Sequence, residues 1–227
     1  MEHLATCKNG DVVSTTRQTA GTGRFQRAWV MPDNRGLALS AILTVVDNSR
    51  MISAITQLGA LAVQDAMSDF GIESMLKWPN DVLVGGRKIS GILAERDTAT
   101  GVVVLGIGLN VNASVDDLKL AGLQNIATSM RMEHGRDFHL GEVLDELVAS
   151  LQRSIDMALL KGTSWVPDAW SCRDWLAGSM VEVSAADRTF RGTYEGTDHM
   201  GRLILGTEDG ARHVLHTGDV TRLRGAK

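Results

Sequence analysis

The sequence predicts an α+β fold in two parts, a mixed-sheet domain over residues 1–177 and a small β-barrel over residues 178–227. Strand-like and helix-like segments alternate up to about residue 135, one apolar helical stripe follows, and short strand-like segments separated by turns fill the rest. The 227 residues allow one large domain, or one medium and one small domain. Because the second part is near the lower size limit for an independent core, we expect it to pack on the first.

The first part combines one helix with several buried strands. Asn48 or Ser49 is expected to cap a helix over residues 52–70, which ends at Gly71. Apolar runs predict strands at 37–46, 72–76, 81–84, 88–94 and 101–112. The strands at 81–84 and 88–94 flank a Gly-Gly pair, so they should form a hairpin.

The remaining chain is predicted to be a helix followed by a small β-domain. Apolar residues recur at helical spacing over 140–159, and Gly162 ends this helix. Trp165, Trp170 and Trp175 follow in a polar stretch, and we expect them to pack at the domain junction. Turn signals separate strands predicted at 180–184, 189–194, 202–205 and 212–216.

Composition and charge argue against several classes of protein. Lysine and arginine total 23 against 27 acidic residues, so the net charge is −4 and bulk DNA binding is not expected. No apolar run reaches the roughly 18 residues of a membrane span, and we expect no secretory signal at the N-terminus. Cys7 and Cys172 form no metal or disulfide pattern, so we expect a reduced, cytoplasmic protein.

A glycine-rich loop with two arginines, residues 18–29, is the first candidate site. Gly21 and Gly23 let the backbone approach a ligand closely, and successive N–H groups favour an anion. Arg24 and Arg27 add forks of donors suited to a phosphate or carboxylate. A solvated turn has the same pattern, whereas a dinucleotide fingerprint lacks support because the third glycine is missing.

Two further motifs place polar groups at strand ends. Lys77 and Lys88 flank the predicted hairpin, where two ammonium groups can approach one anion, and Asn80 and Asp81 offer an amide and a carboxylate. The segment 106–110 (Gly-Ile-Gly-Leu-Asn) ends a buried strand, where glycine marks close approach by a ligand. For the lysine-containing motif, the alternative is a Pro-Asn-Asp turn with solvated lysines. For residues 106–110, the alternative is a bulge and turn.

In this order the three motifs resemble the biotin protein ligase family. The most specific match is the stretch of residues 77–93, which contains Lys-Trp-Pro-Asn-Asp and Gly-Arg-Lys. The resemblance implies a biotin/lipoate ligase fold with an SH3-like barrel, in a monofunctional type without an N-terminal DNA-binding domain. It also implies that biotin is activated with ATP and Mg²⁺ as biotinyl-5′-AMP. Biotin then passes to a lysine of biotin carboxyl carrier protein, in acetyl-CoA carboxylase or a related biotin enzyme.

The resemblance implies a role for each matching residue. Lys88 and Arg24 are the expected catalytic groups, because positive charge must offset the repulsion between the biotin carboxylate and the α-phosphate. The expected biotin-binding residues are Gln18, Gly21, Thr22, Gly23, Arg24, Lys88 and Gly91. The expected ATP-binding residues are Arg27, Trp29, Lys77, Asn80, Asp81 and Asn110, with Asp81 also the expected magnesium ligand.

The chain departs from the family pattern in two places. Thr22 stands where the family's loop usually has its first arginine, and Gln26 where it usually has a glycine. The loop loses a cation and a flexible position, so we predict weaker retention of the adenylate or a slower first step. The family's Ser-Thr-Asn segment, which contacts biotin, would fall before Met1. Whether the true start lies upstream or the pocket is incomplete, we expect reduced stability or biotin affinity for this chain.

The expected partners are biotin, ATP and biotin carboxyl carrier protein, with neither DNA nor a membrane, and the chain is expected to be a monomer or a homodimer. Two alternatives stay open. A lipoate–protein ligase has a related fold and similar adenylation chemistry, and a catalytically impaired biotin or adenylate binder would fit Thr22 and the lost upstream segment. A biotin-responsive repressor is not expected, because nothing before residue 18 could supply a winged helix.

Overall fold

The computed structural model describes residues 7–44, 52–185 and 188–223. The first sheet consists of β1 Val12–Thr15, β2 Gly36–Thr44, β3 Met75–Lys77, β4 Asp81–Val84, β5 Arg87–Arg96 and β6 Val102–Asn110. The helices are α1 Ile52–Asp69, α2 Val115–Leu120, α3 Met130–His134, α4 Leu140–Lys161 and α5 Val166–Ser171. The second sheet consists of β7 Met180–Ala185, β8 Arg188–Thr197, β9 Leu203–Gly206, β10 Arg212–Leu215 and β11 Asp219–Arg222.

The first sheet has the order β1-β2-β6-β5-β4-β3, and all its described strand pairs are antiparallel. The predicted mixed sheet is therefore wrong in this respect. A parallel pair needs a long crossover between neighbouring strands. The long helix α1 follows β2 and precedes β3 in the chain. In the sheet, however, β6, β5 and β4 lie between β2 and β3, so these two strands are not neighbours.

Alternation along β6 separates a helix-covered face from a glycine-bearing face. Leu105 is fully buried, and its side chain lies against Gly59 of α1, close to the position that a Cβ atom there would occupy. Gly106 and Gly108 alternate with the buried residues of β6 and are half-buried. Their Cα positions therefore belong to the opposite face of the sheet, because successive residues in a strand point to opposite faces. The sheet thus presents a surface without side chains at the centre of β6.

Most of the predicted elements are present. The helix over 52–70 is α1, followed by Gly71 with a φ of 74°, and the helix over 140–159 is α4, followed by Gly162. The proposed caps Asn48 and Ser49 lie outside the described residues. Short or exposed elements were not predicted from the sequence, namely β1, β11, α2, α3 and α5. No helix in the described ranges has the length and apolar character needed to cross a bilayer.

The second sheet has the order β10-β9-β8-β7-β11, with antiparallel pairing throughout. The small antiparallel β-domain is thereby confirmed, but the described strands do not close into a barrel. Closure requires the two edge strands to pair, whereas β10 and β11 lie at opposite edges and have only four residues each.

The two sheets pack together around buried aromatic side chains, as the size of the second part predicted. Trp78 is 1% exposed, and its Nε1 donates to the Gly201 carbonyl at 2.9 Å. The buried Tyr194 hydroxyl in β8 donates to Asp174 at 2.5 Å. Trp175 lies against the Arg222 guanidinium in β11, with 5.0 Å between the guanidinium carbon and the ring centroid, which confirms a junction position for this tryptophan.

Candidate functional site

An open cleft of about 620 Å³ lies against the glycine-bearing face of the first sheet. The sequence-predicted residues that line it are Gln18, Thr22, Gly23, Arg24, Arg27, Trp29, Asn80, Asp81, Lys88, Gly91 and Asn110. The second sheet contributes Asp219 at the rim. The structure therefore brings the three sequence motifs to one place, although they are far apart along the chain.

The glycine-rich loop folds back on itself above the sheet. Gly23 N donates to the Arg27 carbonyl at 2.7 Å and Trp29 N donates to the Gly21 carbonyl at 2.9 Å, so the ends of the loop are tied together. Gln26 has a φ of 58°, in the left-handed region that favours glycine. The position where the family usually has glycine thus needs a conformation that glycine adopts without strain.

Trp29 is the largest side chain in the cleft. A Cβ atom at Gly108 would lie 2.6 Å from Trp29 Nε1, and one at Gly91 would lie 3.2 Å from the ring, so the indole rests directly on glycine backbone. The Lys88 ammonium is 5.5 Å from the ring centroid. Trp29 Nε1 is buried and has no hydrogen-bond partner within the described part of the chain.

Lys88 and Asp81 form an ion pair at the floor of the cleft. Their Nζ and Oδ1 atoms are 2.5 Å apart, and the side chains are 32% and 22% exposed. The register of β4 against β5 shifts next to Lys88, and such bulges redirect side chains. Lys88 N donates to the Ile126 carbonyl and its own carbonyl accepts from Thr128 N, at 2.8 and 2.9 Å. The backbone at Lys88 is therefore held from both sides.

Asn80 and Asn110 line the cleft but use their side-chain amides to hold backbone. Asn80 Nδ2 donates to the Ile92 carbonyl at 2.8 Å, and Asn110 Nδ2 donates to the Thr128 carbonyl at 3.0 Å. Asn80 therefore fixes the start of β4 on β5. Asn110, which is 4% exposed, fixes the segment that in turn holds Lys88.

Both loop arginines contact residues 217–219, which we call the clamp segment. Arg24 donates to Thr217 Oγ1 at 2.6 Å and to the Gly218 carbonyl at 3.2 Å. Arg27 forms an ion pair with the Asp219 carboxylate. Burial lowers the pKa of Arg24 below its usual value, and the charges of Asp219 and Asp81 partly oppose this shift.

Two predicted residues lie outside the cleft. Lys77 ends β3 and does not line the cavity, so the structure does not bring its ammonium group to Lys88 there. Gly21 does not line the cleft either. A Cβ atom at Gly21 would lie 2.5 Å from the Trp29 carbonyl oxygen, and this close approach explains why the position is glycine. Sequence reasoning missed the clamp segment, and no local pattern there indicates its contact with the loop.

The chain is similar to known ligases over most of its length. The model of the biotin/lipoate A/B protein ligase family matches residues 2–112. The chain is 32% identical over 228 residues to the biotin–[acetyl-CoA-carboxylase] ligase of Mycobacterium tuberculosis, covering 95% of this chain and 80% of the relative. It is 30% identical over 214 residues to the ligase of that name from Paracoccus denitrificans, covering 92% and 88%.

The chain is also similar to a longer relative and to a solved structure. A bifunctional ligase/repressor BirA from Bacillus spizizenii is 31% identical over 210 residues, covering 90% of this chain, so the chain spans 64% of that relative. The solved biotin protein ligase from Aquifex aeolicus in complex with biotin and ATP matches with a TM-score of 0.84 at 25% identity, covering 97% of this chain and 91% of that one.

Proposed function

The chain belongs to the biotin/lipoate A/B protein ligase family, and we propose on this basis that it attaches biotin to a carrier protein in two steps. In the first step, a biotin carboxylate oxygen attacks the α-phosphorus of ATP, and the bond to the bridging oxygen of the β-phosphate breaks to release pyrophosphate. In the second step, a lysine amine of biotin carboxyl carrier protein attacks the carbonyl carbon of biotinyl-5′-AMP, and AMP leaves.

The observation that carries this proposal is the convergence of three cations on one cleft. Lys88, Arg24 and Arg27 all line one cavity, beside the glycines at positions 91, 106 and 108 of the sheet. A carboxylate and a triphosphate repel each other, so their reaction needs positive charge fixed in place before they meet. The complex of the Aquifex aeolicus ligase with biotin and ATP supports the same pair of ligands for this cleft.

Lys88 is proposed as the main electrostatic catalyst. Asp81 holds its ammonium over the floor of the cleft, so that the positive charge is oriented before substrates bind. Arg24 is the second catalytic cation, because its contacting partners on the clamp segment are neutral oxygens that leave its charge available. Neither residue forms a covalent bond to substrate in this proposal.

The remaining site residues divide between the two ligands. We assign Gln18, Gly21, Thr22, Gly23, Arg24, Lys88 and Gly91 to biotin, with Gly21 acting through loop shape. We assign Arg27, Trp29, Asn80, Asp81 and Asn110 to the nucleotide side. The assignment of Lys77 to ATP stays a prediction from the resemblance, because the cleft does not include it.

Magnesium is proposed to enter as MgATP. Asp81 lines the cleft but already pairs with Lys88, and the described residues include no group of three His, Cys, Asp or Glu side chains placed to hold a metal. The chain thus offers no prebuilt cage within the described ranges, and one carboxylate plus substrate phosphates is the usual mode for Mg²⁺. Asp81 stays the predicted protein ligand.

Several broader features belong to the same proposal. We place the domain boundary between residues 177 and 178, shortly before β7 begins. We propose a cytoplasmic protein that acts on biotin carboxyl carrier protein without binding DNA or membranes, as a monomer or homodimer. The relatives named biotin ligases support biotin rather than lipoate as the substrate, and they support an active enzyme rather than an impaired binder.

The test is pyrophosphate release from MgATP with and without biotin, followed by labelling of a carrier protein. Lys88→Ala should reduce the rate of release by about 10²–10³-fold, the usual effect of losing one preorganised charge donor. Lys161→Ala removes an exposed lysine at the end of α4 and should leave the rate unchanged.

Circular dichroism checks that both variants fold. No biotin-dependent release by the wild-type chain would overturn the proposed function. A Lys88→Ala variant within tenfold of wild type would overturn only the role given to Lys88.

A further inference from the structure

The two loop arginines have different kinds of partner on the clamp segment. Arg24 is held by a hydroxyl and a carbonyl oxygen, and no carboxylate in the described ranges contacts it. Arg27 is neutralised by the Asp219 carboxylate. An anion that enters the cleft therefore meets a guanidinium with no carboxylate in contact at Arg24, but at Arg27 it must first displace Asp219.

The Arg27–Asp219 ion pair is solvent-exposed, and a competing anion can displace it. The two side chains are 69% and 38% exposed, and ion pairs this solvated contribute little stability. A phosphate offers arginine more charge than a carboxylate and the same paired-oxygen geometry. Asp219 itself lines the cleft, so a bound polyphosphate and this carboxylate compete for one guanidinium.

We propose that Asp219 is a positioning residue that acts through Arg27. Its carboxylate occupies the guanidinium while the cleft is empty and gives it up to the polyphosphate of the nucleotide. The second sheet thereby sets how tightly the first part holds phosphate, and the exchange of partners releases the loop from the clamp segment at Arg27. The inference rests on the proposed function in taking a nucleoside triphosphate as the source of the anion.

The experiment measures binding of inorganic pyrophosphate to the full chain by isothermal titration calorimetry. Asp219→Asn removes the competing carboxylate and should tighten binding about threefold, which corresponds to about 0.7 kcal/mol. Asp219→Glu keeps a carboxylate and should bind like wild type. Glu208→Gln removes the same charge from an exposed turn of the second sheet and should also bind like wild type.

A second pair of variants tests whether Asp219 acts through Arg27. In an Arg27→Gln background, adding Asp219→Asn should tighten pyrophosphate binding clearly less than it does in wild type. The guanidinium for which the two anions compete is then gone, and only the charge effect of Asp219 on Arg24 remains. Equal or weaker binding by Asp219→Asn alone would overturn the proposal. The proposal would also be overturned if Glu208→Gln tightened pyrophosphate binding as much as Asp219→Asn does, or if Asp219→Asn had its full effect in the Arg27→Gln background. Absence of pyrophosphate binding by wild type would overturn it as well.

Kinetics with MgATP add a readout that a purely structural role would not move. Asp219→Asn should lower KM for MgATP about threefold with kcat within twofold of wild type. If Asp219→Asn fails to fold, Asp219→Ser removes the same charge and is judged by the same outcomes. Pyrophosphate binding requires neither biotin nor chemistry, so failure of the proposed function appears in the release assay and failure of this inference in the affinity comparison.

Discussion

Two glycines shape the cleft because they have no side chain. Gly91 and Gly108 carry no Cβ atom, and the indole of Trp29 takes up that space directly on the backbone. Gly106, two residues earlier on the same face of β6, has only the Leu93 carbonyl near its missing Cβ, at 3.5 Å. One strand thus holds a glycine that the ring requires and a glycine that it does not.

Alanine at Gly108 or at Gly106 should therefore affect Trp29 differently. Gly108→Ala should push the Trp29 ring off the sheet, shift its emission to longer wavelength and increase its quenching by acrylamide, whereas Gly106→Ala should change neither. Subtracting the corresponding Trp29→Phe spectra isolates this residue among the five tryptophans. Stability should change by less than about 0.5 kcal/mol, because the ring can move. Identical spectra for both alanine variants would contradict the packing of Trp29 on Gly108.

One buried carboxylate joins the chain after α5 to the second sheet. Asp174 is 7% exposed, accepts from the Tyr194 hydroxyl of β8 and also accepts from Leu176 N at 2.9 Å. Burial raises the pKa of Asp174 above its usual value, and the hydrogen bonds from Tyr194 and Leu176 oppose the shift only in part. The junction is therefore most favourable when Asp174 holds a proton.

The pH dependence of this junction has a definite sign. Because the folded-state pKa of Asp174 exceeds the unfolded value of about 3.9, its stabilising contribution is complete below that pH and is lost as pH rises through the raised pKa. Asp174→Asn cannot ionise. The free energy of unfolding of wild type minus that of the variant, from urea titrations, should therefore fall as pH rises from about 4. A difference that rises with pH would contradict this assignment.

The two sheets share one apolar core. Leu105 of β6 and Val183 of β7 belong to the same buried cluster, and Trp78 spans the junction to reach Gly201. The clamp segment adds a polar connection from the second sheet to the glycine-rich loop. The proposed boundary at residues 177–178 thus separates two parts that are stabilised by each other.

A shared core predicts a single unfolding transition. In differential scanning calorimetry the chain should show one peak, with equal calorimetric and van't Hoff enthalpies. Trp78→Ala should lower the free energy of unfolding by about 3–5 kcal/mol, the usual range for a buried tryptophan. Leu160→Ala, at a side chain that is 84% exposed, should lower it by less than about 0.5 kcal/mol. Two separate peaks for wild type would show that the two parts unfold independently.

Local sequence patterns predict the long helices, the hairpin at Gly85 and Gly86, most of the short strands of the second part and the three motifs that carry the family resemblance. These features depend on spacing and turn residues within a few positions, so a local pattern is enough to reveal them. The exposed β1 and the short β11 have no such pattern, which is why they were missed.

Which charges share the cleft depends on the tertiary fold. It brought Lys88 and the two arginines together, left Lys77 outside, and placed the clamp segment against a loop 193 positions earlier in the chain. It also decided that all described strand pairs of the first sheet are antiparallel, whereas a mixed sheet would include parallel pairs as well. Such contacts follow from how the whole chain packs and closes its long loops, and no window of neighbouring residues contains that information.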